Sequence, residues 1–443
     1  MSRRVARSVI DVDNPGFVLL VSLTHGINEF FSIVVPPLFP FLVPGLDIGY
    51  SEASLLVVVF FLTYSVVQLP VGPLADVYDE RALLVGGTVV LACGIALVAL
   101  APTFPLMLAG MFVAGVGGST YHPTGMALIS DVETNATHGR SMGVHGTMGS
   151  AGTVLAPALV VAVAEILGWR AALVVAAFVG VGFALSLYVL YPRVAPATLD
   201  DTPTKRAATD GAGNERRTGD SLTAGSSPPS FVEAVRSTFL TEVNLRETST
   251  QVARYLRAPA TLALIGLFLV VGAEVRAIQT FTAAFATASV GASPSYGGAM
   301  LSVTMISAGI ASMLAGYGVD LFSRTRFALA CFLGTAVLVV ALVRLPLSAL
   351  ALPIGFVVLG FVLYAVYPAA NAIAASAAGG RSGSLFAVTN TAAAIGGAAG
   401  PYLLGVVADA ASLEVAFLAA AGIALCGVPV ALYSGRVLTG ADR

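Results

Sequence analysis

The chain has 443 residues, of which 57% are hydrophobic and only 10% are charged, and its mean hydropathy is +0.90. A soluble protein of this length cannot hide so much apolar surface, so the composition excludes a soluble globular protein and indicates a polytopic membrane protein. The formal net charge of −2 argues against a nucleic-acid partner, because phosphate binding needs a concentrated basic patch.

Twelve apolar stretches are long enough to cross a bilayer, since a spanning helix needs about 20 mostly apolar residues. The first six occupy 17–43, 53–75, 82–101, 105–130, 140–166 and 171–191. The second six occupy 259–289, 296–318, 327–344, 351–377, 383–410 and 413–434. The sequence therefore predicts an N-terminal six-helix bundle over 1–191 and a C-terminal six-helix bundle over 259–443.

A polar stretch over 192–258 links the two predicted bundles. Its first part is rich in Pro, Gly, Ser and charge, which is typical of a disordered linker. The part over 231–256 has scattered apolar positions that favour an amphipathic helix on the membrane surface.

Arginines are distributed unevenly between the two sides that these spans define. If the N-terminus is cytoplasmic, the outer side receives only Arg170 and Arg344. The inner side receives the linker and Arg3, Arg4, Arg7, Arg81, Arg140, Arg324, Arg326, Arg381, Arg436 and Arg443. Because basic residues concentrate on the cytoplasmic side, we expect a cell-membrane protein with both termini inside.

Three landmarks occur once in each half, in the same order. "GPLADVYDER" follows the second span and "GYGVDLFSRTR" follows the eighth, with a glycine four residues before an aspartate in both (Gly72 and Asp76; Gly316 and Asp320). The fourth and tenth spans place proline eight residues after glycine, in "GVGGSTYHP" and "GFVLYAVYP". The fifth and eleventh spans open on "GRSMG" and "GRSGS". These matches imply a duplicated six-helix unit with parallel repeats.

Twelve spans, a long central linker and a G-x-x-x-D-x-x-x-x-R loop after the second span resemble the major facilitator superfamily. The loop departs from the family pattern at Val77, where arginine is usual, and at Asp79, where glycine is usual. The first half is similar to the fosmidomycin-resistance type of efflux transporter in "SLTHGINEFF", "GVGGSTYHP" and "HGRSMGVHGTMGSAGTVLAP", although that type commonly has Asp at the position of Glu29. The resemblance implies an all-α membrane protein with twelve transmembrane helices in two parallel six-helix repeats.

The first span carries His25, Asn28 and Glu29 inside an apolar stretch. At helical spacing the three share one face. An ionised carboxylate that faced lipid would be costly, so we expect this face to point into the bundle or a water-filled cavity. Because histidine titrates near neutral pH, the group is interpreted as a proton site, and the alternative is a structural polar network.

Two further histidines are candidates for the same site. His122 precedes Pro123 in the fourth span, and His145 lies just over one turn into the fifth, so both are candidates for a proton relay with His25. The alternative is that His122 bonds backbone carbonyls that Pro123 leaves free. These histidines and Glu29 are suitable metal ligands by type, but their sequence separation has no recognisable spacing, so neither a metal nor a cofactor is expected.

The seventh span contains Glu274, Arg276 and Gln279 within "GAEVRAIQTFT". Glu274 and Arg276 are two residues apart and point to different faces of a helix, so they cannot simply neutralise each other. Arg276 therefore needs an anion from elsewhere, either Glu29 or an anionic substrate. The alternative is a structural ion pair between the two halves.

Charged residues beside the loops are candidates for gating. An aspartate at a helix end, next to the N-terminus of a neighbouring helix, can stabilise one conformation through the helix dipole. The candidates are Gly72, Asp76, Arg81, Arg140, Asp320, Arg324, Arg326 and Arg381. The alternative is a charge cluster that only sets topology.

Together these features predict a monomeric secondary transporter that works by alternating access, with a small molecule, protons and membrane lipid as partners. The first choice is proton-coupled export of a drug-like or anionic compound; the alternatives are proton-coupled uptake of a metabolite and a non-transporting sensor. An enzyme is not expected: "GRSMG" has the G-x-S-x-G pattern, but no nucleophile–base arrangement with acidic and histidine partners is recognised in the sequence. Nucleotide-driven pumping is disfavoured, because the chain has no P-loop and its only lysine, Lys205, lies in the linker.

Overall fold

The structure is a computed structural model of the chain. It describes residues 12–134, 136–196, 199, 258–377 and 382–440. Most of the predicted linker, with its proposed amphipathic helix, and Arg381 lie outside the described residues, as do the side chains of Asp76 and Asp320.

Fourteen α-helices and one 3-10 turn occupy the described ranges. In the first half they are α1 (Pro15–Ser32), the 3-10 turn (Pro36–Leu38), α2 (Phe39–Leu46), α3 (Tyr50–Val77), α4 (Glu80–Leu100), α5 (Phe104–Gly118), α6 (Tyr121–Val132), α7 (His138–Leu167) and α8 (Trp169–Val194). In the second half they are α9 (Pro259–Val290), α10 (Pro294–Leu321), α11 (Arg324–Arg344), α12 (Leu352–Ala377), α13 (Ser382–Ala410) and α14 (Leu413–Gly440). Twelve stretches of these helices are long and apolar enough to cross a membrane, which confirms the predicted all-α membrane fold.

Two of the predicted spans are interrupted. The first breaks between α1 and α2 around Pro36 and Pro37, since proline cannot donate the backbone hydrogen bond that a continuing helix needs. The fourth breaks between α5 and α6, where the hydroxyls of Ser119 and Thr120 donate to the carbonyls of Val116 (2.7 Å) and Gly117 (2.9 Å). This second break places His122 in the first turn of α6.

Each half is held together by a pair of helices that approach closely. In the first half α1 packs on α7, and a side-chain carbon at Gly152 would overlap the carbonyl of Gly26. In the second half α9 packs on α13, and a carbon at Gly396 would overlap the carbonyl of Leu269. Small residues at such crossings let membrane helices pack through van der Waals contact, so the same helix pairing is built twice.

The helices alternate in direction, so one face of the bundle carries the starts of α1 and α9 and the end of α14. We call it the terminal face, and the opposite face the distal face. Across the halves α3 packs on α13 and α7 on α10. Between the bundle centre and the distal face, the ring of Phe281 lies 5.8 Å from that of Phe39 and 5.9 Å from that of Tyr50. The two halves are therefore packed together on the distal side.

Two carboxylates join the halves at the distal face. Asp409, at the end of α13, accepts hydrogen bonds from the backbone N–H groups of Tyr50 (2.6 Å) and Ser51 (2.9 Å) at the start of α3. Glu165, at the end of α7, accepts from the backbone N–H of Ser295 (2.7 Å) and from its hydroxyl at the start of α10. Because α7 corresponds to α13 and α3 to α10 in the repeats, these are equivalent contacts, which we call the distal clasps.

A second carboxylate network lies at the terminal face of the first half. Glu133 accepts from the backbone N–H groups of Asp13 (3.1 Å) and Asn14 (2.8 Å) and from the Ser141 hydroxyl (2.8 Å). The Asp13 carboxylate in turn accepts from the Thr137 hydroxyl (2.7 Å). These bonds tie the start of α1 to the segment that joins α6 to α7.

Candidate functional site

A cavity of about 300 Å³ lies between the two halves. The first half contributes Glu29, Tyr64, Gln68 and His122 to its lining, and the second half contributes Arg276, Tyr367 and Asn390. Polar side chains in the middle of a membrane protein mark a water-accessible path or a ligand site, so this cavity is the candidate functional site.

The wall from the first half is built around Glu29. Its Oε1 lies 3.6 Å from His25 Nε2 and 3.3 Å from His122 Nε2. The i, i+4 spacing on α1 places His25 against Glu29, and the start of α6 delivers His122 from a separate helix. The side chain of His25 is 11% exposed, that of Glu29 24% and that of His122 31%, so the wall opens into the cavity from His122 and Glu29.

His145 lies behind this wall. Its ring stacks on that of His25, with centroids 4.1 Å apart and planes 13° apart. His145 is buried and lies outside the cavity lining. Its Nδ1 lies 3.2 Å from the hydroxyl of Tyr121, and that hydroxyl donates to the carbonyl of Val21 (2.7 Å). The hydroxyl therefore accepts from the His145 ring, which leaves the Nε2 atom of a neutral His145 without a proton.

Asn28 shares the polar face of α1 but has a different environment. Its amide donates to the carbonyl of Gly118 (2.9 Å) and accepts from the hydroxyl of Tyr64 (3.2 Å). Asn28 is buried and ties α1 to α5 and α3 behind the cavity. The structure places it as a support of the wall, and its predicted substrate or proton role stays a prediction.

The wall from the second half carries Arg276. Its guanidinium lies 3.7 Å above the ring of Phe61 on α3, and its Nη1 donates to Gln279 Oε1 (2.5 Å). Among the described residues no carboxylate oxygen lies within 4.0 Å of this guanidinium, and the Glu29 carboxylate contacts His25 and His122 instead. The predicted contact between Arg276 and Glu29 is therefore absent in this conformation, although both line the same cavity.

Glu274 points away from the cavity, as its two-residue offset from Arg276 predicts. It is buried, and its Oε2 has no hydrogen-bond partner among the described residues. Gln279 is also buried, and it positions Arg276 while its amide nitrogen contacts the sulfur of Met305 at 3.3 Å.

The predicted gating residues lie at the terminal face. Arg81 donates to the carbonyl of Tyr188 (2.7 Å) and covers its ring, so it links α4 to α8 inside the first half. Arg324 donates to the carbonyl of Ala372 (3.3 Å) inside the second half, and Arg140 and Arg326 are exposed. With the side chains of Asp76 and Asp320 and all of Arg381 outside the described residues, gating by this set stays a prediction.

Sequence reasoning missed the two distal clasps. A signal was present: Glu165 follows Pro157 by eight residues, and Asp409 follows Pro401 by the same eight. Two carboxylates at matched positions in a duplicated chain indicate a matched role. Phe61, Tyr64 and Tyr367 were missed because aromatic residues in an apolar span carry no signal of cavity exposure.

Comparison with known proteins identifies the fold. A family model described as Major Facilitator Superfamily matches residues 20–285 and 264–439. Solved structures of a bacterial homologue of the human lysosomal transporter Spinster, in inward-facing unoccupied and occupied conformations, are 16% and 14% identical. They cover 96% and 95% of this chain and 95% and 94% of that chain, with TM-scores of 0.67 and 0.69, and they show the fold alone.

Relatives of this chain have names that refer to different substrates. A probable L-galactonate transporter of Escherichia coli is 27% identical over 33% of this chain and 32% of its own length. The fosmidomycin resistance protein of Escherichia coli is 25% identical over 32% of this chain and 35% of its own. The multidrug efflux pump LfrA of Mycolicibacterium smegmatis is 31% identical over 33% of this chain and 28% of its own. Each match thus spans about a third of the relative.

Proposed function

Because the chain belongs to the Major Facilitator Superfamily, we propose that it exports a small drug-like or anionic compound across the cell membrane in exchange for protons. The predicted superfamily is confirmed, and with twelve apolar helices the chain is a multi-pass membrane transporter. The proposal adds the substrate class, the coupling ion and the direction. Its main support is the cavity, which has a carboxylate–histidine wall in one half and an arginine in the other.

Arg276 defines the substrate class in this proposal. A guanidinium stays charged throughout the physiological pH range, and in the membrane its charge must be offset by a carboxylate, a bound anion or water. The described contacts of Arg276 are the neutral Gln279 and the ring of Phe61. An anionic group on the substrate, such as a carboxylate or phosphonate, fits the unused donors of the guanidinium.

The carboxylate–histidine wall carries the proton in this proposal. A proton bound to Glu29, His25 or His122 raises the charge of the cavity by one unit. For antiport the substrate must displace that proton, so the compound needs a hydrogen-bond donor or a cationic group for Glu29 besides its anion for Arg276. Such a compound is dipolar, as many drug-like molecules are.

Electrostatics also favours a second candidate function. A proton on the histidine wall makes the cavity more positive, which strengthens the binding of a simple anion at Arg276. Proton and anion would then bind together, as in proton-coupled uptake. In one pH gradient, export by antiport moves the substrate against the proton flow, whereas proton-coupled uptake moves it with the proton flow. The direction of substrate movement therefore distinguishes the two functions.

The proposed orientation has both termini in the cytoplasm. Arg170 and Arg344 lie at the distal face, which is the arginine-poor side and therefore the outer side by charge bias. With this orientation the distal clasps close the outer side. Cysteines placed at Gly213 and Leu350, in a variant without the native cysteines, test it with an impermeant thiol reagent in intact cells. Labelling at position 350 alone is expected, and labelling at 213 alone would reverse the orientation.

The function is tested with purified protein in sealed vesicles under an imposed pH gradient. A panel of dipolar and anionic compounds is screened for gradient-driven movement, and movement against the proton flow is expected. Glu29→Gln is expected to abolish uphill transport while sparing substrate exchange. Glu414→Gln, which changes an exposed glutamate far from the cavity, is the matched control. Undiminished uphill transport by Glu29→Gln would remove Glu29 from the coupling mechanism.

A further inference from the structure

The atoms around Glu29 do not match simple hydrogen bonding. His25 Nδ1 lies 2.9 Å from the backbone carbonyl of His145. A carbonyl only accepts, so Nδ1 carries the ring proton and a neutral His25 presents a bare Nε2. That Nε2 faces Glu29 Oε1, which is also an acceptor. Two lone-pair atoms that face each other in the membrane need a cation between them, which is the proton in the proposed transport step or a metal ion.

The separations have the size expected of ligands around a metal ion. Glu29 Oε1 is 3.6 Å from His25 Nε2 and 3.3 Å from His122 Nε2, whereas N–H···O hydrogen bonds run from about 2.7 to 3.2 Å. With metal–ligand bonds of about 2.0–2.1 Å, tetrahedral geometry sets neighbouring ligand atoms about 3.4 Å apart. Both separations from Glu29 Oε1 are therefore compatible with ligands that share one ion.

Ring geometry gives an independent check. The rings of His25 and His122 have centroids 5.1 Å apart and planes 73° apart. Two imidazoles on one tetrahedral ion have centroids about 5 Å apart, given the same bond lengths. His145 is different: its ring is nearly parallel to that of His25 at 4.1 Å, so the in-plane lone pairs of these two rings run side by side and do not converge.

We propose that Glu29 Oε1, His25 Nε2 and His122 Nε2 bind one divalent transition-metal ion of the Zn²⁺ or Co²⁺ type. Two histidines and one carboxylate with an open fourth position are a known donor set for zinc. The fourth position faces the cavity, into which Glu29 and His122 open, so water can complete the coordination.

The surroundings support His25 as a ligand. Its Nδ1–H donates to a backbone carbonyl, which is the second contact that fixes the orientation of ligating histidines. Gly149 leaves room for the ring, because a side-chain carbon there would overlap it. His145 contributes its carbonyl and its stacked ring and is a positioning residue for this site.

The test uses full-length protein, purified in detergent after removal of any histidine tag, and the metal alone as probe. Co²⁺ is followed by its visible absorption and Zn²⁺ by calorimetry. One ion per chain is expected, and His25→Ala, His122→Ala and Glu29→Gln are each expected to weaken binding by more than about 10-fold, since even outer-shell changes cost that much. His138→Ala is the matched control, because His138 is the remaining histidine and begins α7 outside the cluster. Absence of stoichiometric binding, or equal loss in the control, would overturn the proposal.

A second variant separates ligation from folding. His122→Cys keeps a metal ligand at the position, so it is expected to retain Co²⁺ and to add a thiolate-to-cobalt charge-transfer band in the near ultraviolet. A structural role for His122 cannot produce that band, and a folded variant without it would contradict ligation by residue 122. Binding is measured without transport, so its outcome is distinguishable from that of the transport assay, although the metal ion and the transported proton would compete for the same three atoms.

Discussion

The two halves of the cavity differ in how their charges are satisfied. On the first half Glu29 lies among two imidazoles, and Asn28 and His145 support that group from behind. On the second half Arg276 is held only by a neutral amide and an aromatic ring among the described contacts. The same pairing of helices across small residues thus carries a carboxylate between two imidazoles on one side and, on the other, an arginine with no carboxylate partner among the described residues. This difference fits the proposal that the first half carries the proton and that the second half binds an anionic group of the substrate.

The largest effect is expected from removing the unmatched cation. Arg276→Gln should weaken binding of an anionic substrate by about 30-fold or more, because truncating one partner of a buried charge pair costs about 2–5 kcal/mol. The substrate affinity of Arg276→Lys should lie between those of Arg276→Gln and the parent, since lysine keeps the charge but loses the planar fork of the guanidinium. Equilibrium binding of a substrate found in the vesicle screen measures both, with Arg324→Gln at the terminal face as control.

A double variant tests whether Arg276 is merely structural. If Arg276 and Glu29 only bridge the halves in another conformation, Arg276→Gln with Glu29→Gln should recover stability and leave substrate affinity intact. A double variant that binds as tightly as the parent would contradict recognition by Arg276. Continued loss of affinity in a well-folded double variant is the expected result.

The second prediction concerns the distal clasps, which bind the halves symmetrically. Asp409→Asn or Glu165→Gln replaces a charge-assisted hydrogen bond to a helix N-terminus by a neutral one, which weakens the closed distal face. We expect the population open on that side to rise about 3- to 10-fold for each variant, since exposed contacts of this kind contribute about 1 kcal/mol. Spin labels at Leu167 and Leu350 would report the separation of the halves.

The control for the clasps is a carboxylate that makes the same bond inside one half. Glu52 accepts from the backbone N–H of Gly49 at 3.0 Å, at the same face. Glu52→Gln should leave the label distances unchanged. A shift as large as that of Asp409→Asn would mean that charge at the distal face, and not the contact across the halves, sets the distribution.

Much of the fold could be predicted from the sequence because the thickness of the membrane sets the minimum length of each spanning helix. A span needs about 20 apolar residues, so the predicted 259–289 and 413–434 lie within the observed Pro259–Val290 and Leu413–Gly440. The breaks before α2 and α6 did not follow, because they lie inside apolar runs where hydropathy is continuous. Pro36 and Pro37 were the available signal for the first break.

The sequence predicted contacts within the site only between residues that are close together on one helix. The i, i+4 rule placed His25 beside Glu29, but the distance of His122 from Glu29 depends on how α6 packs against α1. For the same reason no metal-ligand spacing was visible, since two ligands come from α1 and one from α6. The rule also put Asn28 on the shared face without showing that Gly118 and Tyr64 bind it.

A third prediction compares two glycines, one beside His25 in the first half and one beside Arg276 in the second. A side-chain carbon at Gly149 would overlap the His25 ring, whereas one at Gly397 would meet Arg276 at an ordinary 3.6 Å. Gly149→Ala should therefore destabilise the protein by about 1–3 kcal/mol through overpacking. Gly397→Ala should be neutral or stabilising by up to about 1 kcal/mol through helix propensity. Thermal unfolding in detergent measures both, and equal effects would contradict the asymmetry of the two walls.

The smallest effect is expected at the terminal-face network of the first half. Hydrogen bonds from the Thr137 hydroxyl and from Thr134 lower the pKa of Asp13. Partial burial raises the pKa of Glu133, but the bonds from Asn14, Ser141 and the Asp13 backbone outweigh it and leave that pKa lowered. A carboxyl whose pKa is lower in the folded state stabilises the protein above its unfolded pKa of about 4, and that contribution is lost as pH falls through the folded value. The network should therefore contribute fully at neutral pH and progressively less below about pH 4.5.

Glu133→Gln isolates this contribution. The variant should unfold at a lower temperature than the parent at pH 7, because Asn14 and Ser141 lose a charged acceptor. As the pH is lowered toward 3.5, the parent should lose stability faster than the variant, so the two melting temperatures should converge. Glu414→Gln changes a glutamate that is exposed at the distal face, so its melting temperature should follow that of the parent at every pH. A gap between parent and Glu133→Gln that stays constant with pH would show that packing, and not the charge of Glu133, ties α1 to the α6–α7 segment.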